Sequence, residues 1–307
     1  MIDILLATYN GEKYLPEQID SLFSQSYKDW RLIIRDDGST DTTLSFITNL
    51  EKEFPGKVLV LKDSLGNLGA AQSFSRLLEV SNAPYVAFCD QDDIWFKNKL
   101  QLQMQHMLLE ESKQSEKVPV LINSDLVVVD QNMDVISSSF WKYQNLKPGK
   151  MNNIKTLLIH NYVTGCTCLL NRELINTAMP IQDGAIMHDW WIAIVAVSNG
   201  RIIDLDVPTV YYRQHNSNDV GAKAWGVYYV YDLIFNSFSS IREALLNTRR
   251  QANALQNNEC LREVNRELIK AYVNLFEMNW LSRHVKVFKL GFKKYGLIRN
   301  LAFLLFV

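Results

Sequence analysis

Three aspartates, Asp90, Asp92 and Asp93, lie within four positions directly after the apolar segment 85–88. Such a segment is typical of a buried strand, so the carboxylates are expected at the carboxyl edge of a sheet. Crowded carboxylates repel one another unless a cation neutralises them. Oxygen ligands that leave room for water and phosphate suit Mg²⁺ or Mn²⁺. The segment therefore predicts a divalent-cation site, with a solvated acidic turn as the alternative.

The first half of the chain alternates between strand-like and helical segments. Strands are predicted at 2–7, 32–34, 58–61 and 85–88, and helices at 12–25, 41–53, 70–81 and 97–111. This alternation is typical of an α/β fold in which helices flank a mostly parallel sheet. In such sheets ligands bind beyond the carboxyl ends of the strands. Polar clusters follow three of the predicted strands, beginning at Tyr9, Asp36 and Asp90.

The second half has a mixed pattern. Strands are predicted at 118–129, 162–170 and 207–212, and a helix at 188–198. From Trp225 onward the pattern is helical. We therefore expect one α/β domain over residues 1–222 and a helical C-terminal region over residues 223–307.

Composition narrows the class of protein. The 307 residues are 48% hydrophobic and carry a formal net charge of −1, which is an ordinary globular balance. Near-neutral charge gives no support for a nucleic-acid partner. The four cysteines fit neither a zinc spacing nor a disulfide framework. The first residues look like a strand rather than a secretory signal, so a cytoplasmic protein is the default expectation.

Neither common glycine-rich phosphate loop occurs, since the sequence has no G-x-x-x-x-G-K-[ST] and no G-x-G-x-x-G. The turn around Asn67, between Gly66 and Gly69, opens a predicted helix. Its amides either face an anion or form a plain helix entry, and the plain entry is favoured. A diphosphate would therefore be held largely by a metal ion.

Taken in order, these motifs resemble those of glycosyltransferase family 2. The segments ILLATYN (4–10), DDGSTD (36–41) and DQDD (90–93) look like its successive signatures. TGC (164–166), HDWW (188–191) and YRQH (212–215) are similar to its rhamnosyltransferase-like branch, which builds bacterial surface polysaccharides. The resemblance reaches to about Ala222. It implies the GT-A fold, a Rossmann-like α/β architecture, and sugar transfer from a nucleoside diphosphate with inversion.

The resemblance implies a nucleotide site at the ends of the first two strands. In the family, the acid before the Gly-Ser turn accepts a hydrogen bond from the pyrimidine N3–H, and Asp37 matches it. Tyr9 is available to stack on the base, and Ala7 and Thr8 line the same strand end. Asn67 is grouped with these donor-binding residues.

The resemblance also assigns the metal and diphosphate ligands. Asp92 matches the metal-binding acid of the family's D-x-D element, and Asp90 matches the acid near the ribose or a metal-bound water. Asp93 either orients a ligand or caps the turn. His215 matches a metal ligand late in the chain. The planar fork of Arg213 suits a phosphate oxygen or, alternatively, a structural acid.

Inverting transfer needs a carboxylate that removes the acceptor hydroxyl proton. Asp189 matches the family acid in this role, and capping the helix that begins there is the alternative. A carboxylate beside an apolar wall would have its pKa raised toward the range useful for a base. Trp190 and Trp191 offer flat apolar faces to a sugar, although large aromatics in a helix are more often core residues.

The end of the sequence is basic, with no acidic residue after Glu277. The basic residues are Arg283, Lys286, Lys289, Lys293, Lys294 and Arg299. Apolar residues recur there at helical spacing, at Val285, Phe288, Phe292, Tyr295, Ile298, Ala302 and Leu305. This pattern predicts a basic amphipathic helix on an anionic membrane surface. A packing helix or a homodimer contact is the alternative.

The leading hypothesis is a metal-dependent inverting glycosyltransferase at the inner face of the cell membrane. Its expected donor is dTDP-L-rhamnose, on the resemblance alone, and its expected acceptor is a polysaccharide or lipid-linked glycan. The alternatives are the same fold with a UDP-hexose donor, a nucleotidyltransferase, and a non-catalytic sugar-nucleotide-binding module.

Overall fold

A mixed β-sheet with helices on both faces forms the centre of the protein. The computed structural model describes residues 1–215, 224–226 and 238–307. The strands are β1 (Ile2–Thr8), β2 (Trp30–Asp36), β3 (Val58–Val60), β4 (Tyr85–Cys89), β5 (Ile94–Trp95), β6 (Val120–Val129), β7 (Val135–Ser137), β8 (Leu169–Asn171) and β9 (Arg201–Arg213). Within the described ranges they form one sheet in the order β3-β2-β1-β4-β8-β6-β9-β5, with β7 paired to β6.

The helices alternate with the strands in the first half and follow one another in the second. They are α1 (Leu15–Phe23), α2 (Thr43–Glu53), α3 (Ala70–Val80), α4 (Lys99–Ser112), α5 (Phe140–Tyr143), α6 (Pro148–Met151), α7 (Ile154–Leu157), α8 (Arg172–Ala178), α9 (His188–Asn199), α10 (Phe238–Leu255), α11 (Glu263–Asn274), α12 (Trp280–Leu290) and α13 (Leu297–Phe306). The predicted α/β class is confirmed. The boundary predicted at 222/223 lies outside the described residues.

The parallel part of the sheet is its first half. β3, β2, β1 and β4 are all parallel neighbours, as the strand–helix alternation predicted. Beyond β4 the sheet is mixed, because β8 is antiparallel to both β4 and β6 while β6 and β9 are parallel. Short β5 closes the edge, antiparallel to β9.

The strand predicted at 162–170 is wrong over most of its length. Gly165–Thr167 is a 3₁₀ turn, and only Leu169–Asn171 is a strand. The backbone N–H and the hydroxyl of Thr167 both donate to the Thr164 carbonyl oxygen. This local bonding competes with a sheet ladder, which an apolar pattern alone does not reveal.

The two faces of the sheet bury two apolar clusters. Along β1 the side chains alternate, so Leu5 enters one cluster and Ile4 and Leu6 the other. Helices α1, α2 and α4 cover the second face, while α3, α8, α9 and the helices from α10 to α13 contribute to the first. The C-terminal helices therefore share a core with α9.

Residues 283–305 do not form the single amphipathic helix that their spacing predicted. Gly291 (φ +74°) and Gly296 (φ +87°) separate α12 from α13 in the left-handed region that glycine tolerates. Phe292 is buried and Tyr295 is partly buried against the core. No helix in the described ranges is long and apolar enough to span a bilayer.

The carboxyl ends of the parallel strands meet at one edge of the sheet. Thr8 is in register with Asp36, and Leu6 with Cys89. The residues that follow these strands, Tyr9, Asp37 and Asp90, therefore emerge side by side, as the sequence predicted for a ligand site.

Arg213 ends β9 and joins this edge to the rest of the fold. Its Nε–H donates to the Asp92 carbonyl oxygen (2.9 Å), and Nη1 donates to the Gln131 carbonyl oxygen (3.2 Å). Its Nη2 pairs with Glu17 on α1, and its side chain is buried. Its backbone N–H donates to Asp93 Oδ1 (3.2 Å). One planar guanidinium thus fastens the acidic segment to α1 and to the segment after β6.

Arg213→Lys should loosen this junction, because an ammonium group lacks the planar fork and reaches fewer of these acceptors. We expect the free energy of unfolding, measured by urea titration, to fall by about 1–3 kcal/mol.

The matched control is Arg201→Lys at the other end of β9. Arg201 is 48% exposed and lies 3.7 Å from a Glu110 carboxylate oxygen. The expected change there is below about 0.5 kcal/mol. Equal losses in the two variants would contradict an anchoring role for Arg213.

Candidate active site

A cleft of ≈ 640 Å³ opens at the carboxyl edge of the parallel strands. The ends of β1, β2 and β4 form one side, and the start of α9 with the segment before β8 forms the other. The sequence-predicted residues that line it are Ala7, Thr8, Tyr9, Asp37, Asn67, Asp90, Asp92, Asp189 and Trp190. Four others, Asp93, Trp191, Arg213 and His215, are outside its lining.

Gln91, which the sequence did not single out, ties the acidic segment to the end of β1. Its Oε1 accepts from the Thr8 hydroxyl (2.7 Å) and from the Tyr9 backbone N–H (3.0 Å). Its amide donates to the Tyr9 carbonyl oxygen (3.0 Å). A Cβ at Gly11 would lie 2.3 Å from Gln91 Oε1, so a larger residue there would displace the Gln91 amide. Tyr9 is 48% exposed and lines the cleft.

Asp37 is held at the end of β2 by buried partners. It pairs with Arg35, which also binds Asp63 (Nε–Oδ2 3.0 Å). Its carboxylate accepts from the backbone N–H groups of Leu68 (2.7 Å) and Gly69 (2.8 Å). These two amides of the turn around Asn67 therefore face Asp37 rather than an external anion. The role of Arg35 was not apparent from the sequence.

Asp92 and His215 meet at the rim of the cleft. His215 Nε2 lies 2.7 Å from Asp92 Oδ2, and Tyr14 stacks on the imidazole ring with centroids 4.9 Å apart. A carboxylate beside an imidazole, with Asp90 on the same segment, is a donor set that suits Mn²⁺ and, through its oxygens, Mg²⁺. The residues present therefore fit a divalent ion at this position.

Asp93 lies beneath that segment and is fully buried. Burial, together with the charges of Asp92 and Asp90, raises the pKa of the Asp93 carboxyl. Ligand atoms of Asp90, Asp93 and Cys166 all lie within 4.8 Å of one another. Burial raises the pKa of the Cys166 thiol, and a thiol is a poor ligand for Mg²⁺ or Mn²⁺. The rim pair is therefore the better candidate metal site.

A buried cation, Lys99, lies near enough to Asp93 to feel its charge. Lys99 is fully buried, and its Nζ donates to Gln103 Oε1 (2.7 Å) and lies 4.3 Å from the Trp95 ring centroid. Burial lowers the pKa of Lys99 to about 8, so the amine still carries a proton at pH 7. The sequence did not indicate that Lys99 is buried, because a lysine at the start of a predicted helix is usually exposed.

Asp189 lies in the first turn of α9 and lines the cleft. Its Oδ2 accepts from the Gly165 backbone N–H (2.9 Å), and its Oδ1 accepts from the Trp190 N–H. Met187, not Asp189, is the N-cap residue. Burial raises the pKa of Asp189 to about 6, which matches the direction expected from an apolar wall.

His188 also lines the cleft, although sequence analysis gave it no role. Its ring stacks on Phe74, with centroids 4.0 Å apart, and meets Phe88 edge-on at 4.7 Å. Among the described residues neither ring nitrogen has a hydrogen-bond partner. Burial lowers the pKa of His188 to about 3, so the imidazole is neutral.

The two tryptophans after Asp189 have different environments. Trp190 lines the cleft, and its indole N–H donates to the Leu157 carbonyl oxygen. Trp191 is fully buried and donates to the Ala178 carbonyl oxygen (2.8 Å). Trp191 is therefore a core residue, the alternative given for it, while Trp190 lies at the cleft, because successive helical residues point about 100° apart.

Largely apolar side chains line the end of the cleft near α9. Asp125 holds this wall, since its Oδ1 accepts from the backbone N–H groups of Phe140 (3.1 Å) and Trp141 (3.2 Å). The cleft residues there are Phe140, Gln144, Leu146, Tyr162, Val163, Ile186 and Met187. Sequence analysis did not identify this wall, which comes from three separate segments.

The profile of Glycosyl transferase family 2 matches residues 3–177. The dTDP-rhamnosyl transferase RfbG of Shigella flexneri is 28% identical over 235 residues, covering 71% of this chain and 74% of that protein. The UDP-Glc:alpha-D-GlcNAc-diphosphoundecaprenol beta-1,3-glucosyltransferase WfgD of Escherichia coli is 28% identical over 177 residues, covering 57% and 62%.

Two solved structures share the architecture. TarS 1–349 of S. aureus in complex with UDP-GlcNAc aligns with a TM-score of 0.56 at 20% identity, covering 92% of this chain and 72% of that chain. The mannosyltransferase PcManGT from Pyrobaculum calidifontis, in complex with GDP-Man and Mn²⁺, aligns with a TM-score of 0.53 at 13% identity, covering 94% and 72%. The fold is therefore the GT-A fold. With a family profile that matches more than half of its length, the chain belongs to glycosyltransferase family 2.

Proposed function

We propose that this glycosyltransferase moves L-rhamnose from dTDP-L-rhamnose to a glycan or lipid-linked glycan, with inversion and with a divalent ion. One observation carries the mechanism: a single cleft is lined by Tyr9, Asp37, Asp92 and Asp189. The rhamnose donor is supported by the name of the RfbG relative. A UDP-hexose donor is the second candidate, supported by the name of the WfgD relative.

The nucleotide would bind at the ends of β1 and β2. Tyr9 would stack on the base with its exposed ring. Asp37 would accept the pyrimidine N3–H on Oδ2, which has one acceptor position beyond the Gly69 amide. Thr8, fixed by Gln91, and Ala7 would line the base and ribose, and so would Asn67.

Asp92 and His215 would hold Mg²⁺ or Mn²⁺, and Asp90 would contact the ribose or a metal-bound water. When bound, the ion offsets the negative charge of the departing diphosphate. The contacts of Arg213 favour its structural alternative over the phosphate contact inferred from the motif, since its guanidinium binds Glu17 and two carbonyl oxygens. Arg213 and Asp93 would instead keep Asp92 in position from behind.

Asp189 would act as the base. Its pKa of about 6 leaves it about nine-tenths ionised at pH 7, ready to accept the acceptor hydroxyl proton on a carboxylate oxygen. The Gly165 N–H fixes the orientation of the carboxylate. The hydroxyl oxygen then attacks the anomeric carbon from the face opposite the diphosphate. The product has inverted configuration, and no covalent enzyme intermediate forms.

The acceptor would enter between Trp190 and the apolar wall that includes Phe140 and Leu146. Such faces suit the apolar side of a sugar ring. A lipid-linked acceptor would bring the enzyme to the inner face of the cell membrane.

Asp92→Asn should lower metal-dependent turnover by at least about 100-fold, because an amide is a much weaker ligand for a hard cation. Turnover and Mn²⁺ binding are measured together, the second by calorimetry. Asp20→Asn, an exposed carboxylate of α1, is the control and should leave both unchanged. Full activity of Asp92→Asn, or of the wild type with chelator, would refute the metal assignment.

Asp189→Asn should reduce transfer by about 10²–10⁴-fold, because the variant has no base. Donor affinity should stay within about threefold. For the wild type, kcat/KM should fall about tenfold per pH unit below pH 6, since protonated Asp189 cannot accept a proton. Parallel loss of donor binding and transfer would indicate a structural role instead.

A panel of nucleotide sugars tested with Mn²⁺ by thermal shift identifies the donor. A bound donor at 100 times its Kd stabilises the native state by about 2.7 kcal/mol. We expect dTDP-L-rhamnose to give the largest rise in Tm, with UDP-glucose and GDP-mannose as comparison donors. A larger rise with UDP-glucose would establish the second candidate.

A further inference from the structure

Helices α12 and α13 form a hairpin at the end of the described chain. His284 Nε2 on α12 lies 2.7 Å from the Leu304 carbonyl oxygen on α13, and the turn between the helices runs from Gly291 to Gly296. Each helix buries one side against the core, through Val287 and Phe303. The hairpin therefore has an inner side that packs on the protein and an outer side that faces solvent.

The outer side is apolar on both helices. On α13 the exposed residues Leu297, Leu301 and Leu305 recur every four positions and are at least 52% exposed. On α12 the exposed apolar residues include Leu281 and Phe288, at 66% and 68%. Exposed aliphatic rows of this kind mark an interaction surface rather than ordinary solvated protein.

Positive charge borders these rows and negative charge is absent from the same stretch of sequence. Lys289 and Lys293 are exposed, and Lys286 is partly exposed. Of the two other basic residues named in the sequence, Arg299 is buried and Lys294 is partly buried. No Asp or Glu occurs after Glu277. Apolar side chains flanked by lysines match an anionic lipid surface, whose acyl chains and headgroups take up the two kinds of group.

We propose that the outer side of the α12–α13 hairpin seats the enzyme on an anionic bilayer. The lysines favour this occupant over a second copy of the chain, because lysine is depleted in protein–protein interfaces. This proposal extends the proposed function. Its benefit, access to a lipid-linked acceptor, rests on that proposed function.

The same hairpin supports the apolar end of the cleft from behind. Arg299 on α13 donates to the Gln144 carbonyl oxygen (2.7 Å) and the Asn145 carbonyl oxygen (3.4 Å). Gln144 and Leu146 line the cleft. Arg299 points about 160° away from Leu297 and Leu301 around the helix. The bilayer would thus lie about one helix diameter, about 10–12 Å, from the segment that lines the cleft.

Sedimentation of the full-length chain with vesicles tests the proposal. Vesicles of phosphatidylglycerol and phosphatidylcholine are compared with vesicles of phosphatidylcholine alone. We expect the anionic vesicles to retain at least about tenfold more wild-type protein, and high salt to weaken that retention. Phe288→Ser/Leu301→Ser should lower partitioning by about tenfold, because two apolar anchors are lost.

The matched control is Leu108→Ser/Leu109→Ser on α4, where both leucines are about half exposed, at 53% and 51%. This control should bind vesicles like the wild type. Equal retention of all three proteins, or no preference for anionic lipid, would overturn the proposal. So would a dimer seen by light scattering that Phe288→Ser/Leu301→Ser alone dissociates, since a second copy would then cover the hairpin.

Transfer to a water-soluble acceptor separates this proposal from the proposed function. Phe288→Ser/Leu301→Ser should keep wild-type transfer rates with such an acceptor. If the wild type binds anionic vesicles but transfers no sugar, the membrane-binding proposal is supported and the proposed function is refuted. If transfer is normal and vesicle binding is absent, the proposed function stands and the lipid surface is refuted.

Discussion

Three aspartates at one edge of a sheet must stay close together in spite of their mutual repulsion. The protein meets this constraint by burying one of the three carboxylates and leaving the other two at the cleft. Asp93 turns inward, where burial raises its pKa and favours the neutral acid, while Asp90 and Asp92 face the cleft. Arg213 and Lys99 supply positive charge behind the segment. The positive charge of Arg213 and Lys99 thus offsets part of the negative charge of the two outward carboxylates.

The uncharged side chain of Gln91 connects the acidic segment to the end of β1. Gln91 joins the acidic segment to Thr8 and Tyr9 by three hydrogen bonds without adding charge. Gly11 leaves the space that the Gln91 side chain occupies. The proposed nucleotide and metal positions are therefore parts of one bonded unit, so a shift of the acidic segment would also move the end of β1.

Sequence patterns predicted the first half of the fold well, because its strands are short apolar runs with polar residues at their ends. The strands observed at β1, β3 and β4 differ from the predicted bounds by one residue at most. Prediction failed where a side chain competes with the backbone, as Thr167 does at the 3₁₀ turn. It left Trp191 open between a sugar contact and the core, since pattern alone does not tell which of two adjacent aromatics is buried.

The ion-pair partners of the site residues could not be predicted either, because they come from other parts of the chain. Family-like motifs identified Asp37 and Arg213, but not Arg35 or Glu17, which bind them and limit what they can do. In the C-terminal region the spacing indicated an amphipathic segment, yet Phe292 faces inward because Gly291 breaks the helix before it. Hydrophobic periodicity and charge can be read from the local sequence, whereas the ion-pair and packing partners of a residue are set by tertiary contacts.

Asp92 and His215 are 123 positions apart in sequence. They come together because β9 runs alongside β6 and ends at Arg213, next to the acidic segment. A ribosome-bound chain that has made only its first hundred residues already contains all three aspartates, but neither the imidazole nor the guanidinium. The Asp92–His215 pair can therefore form only after β9 has been made, and long-range strand pairing of this kind is among the slower steps of folding.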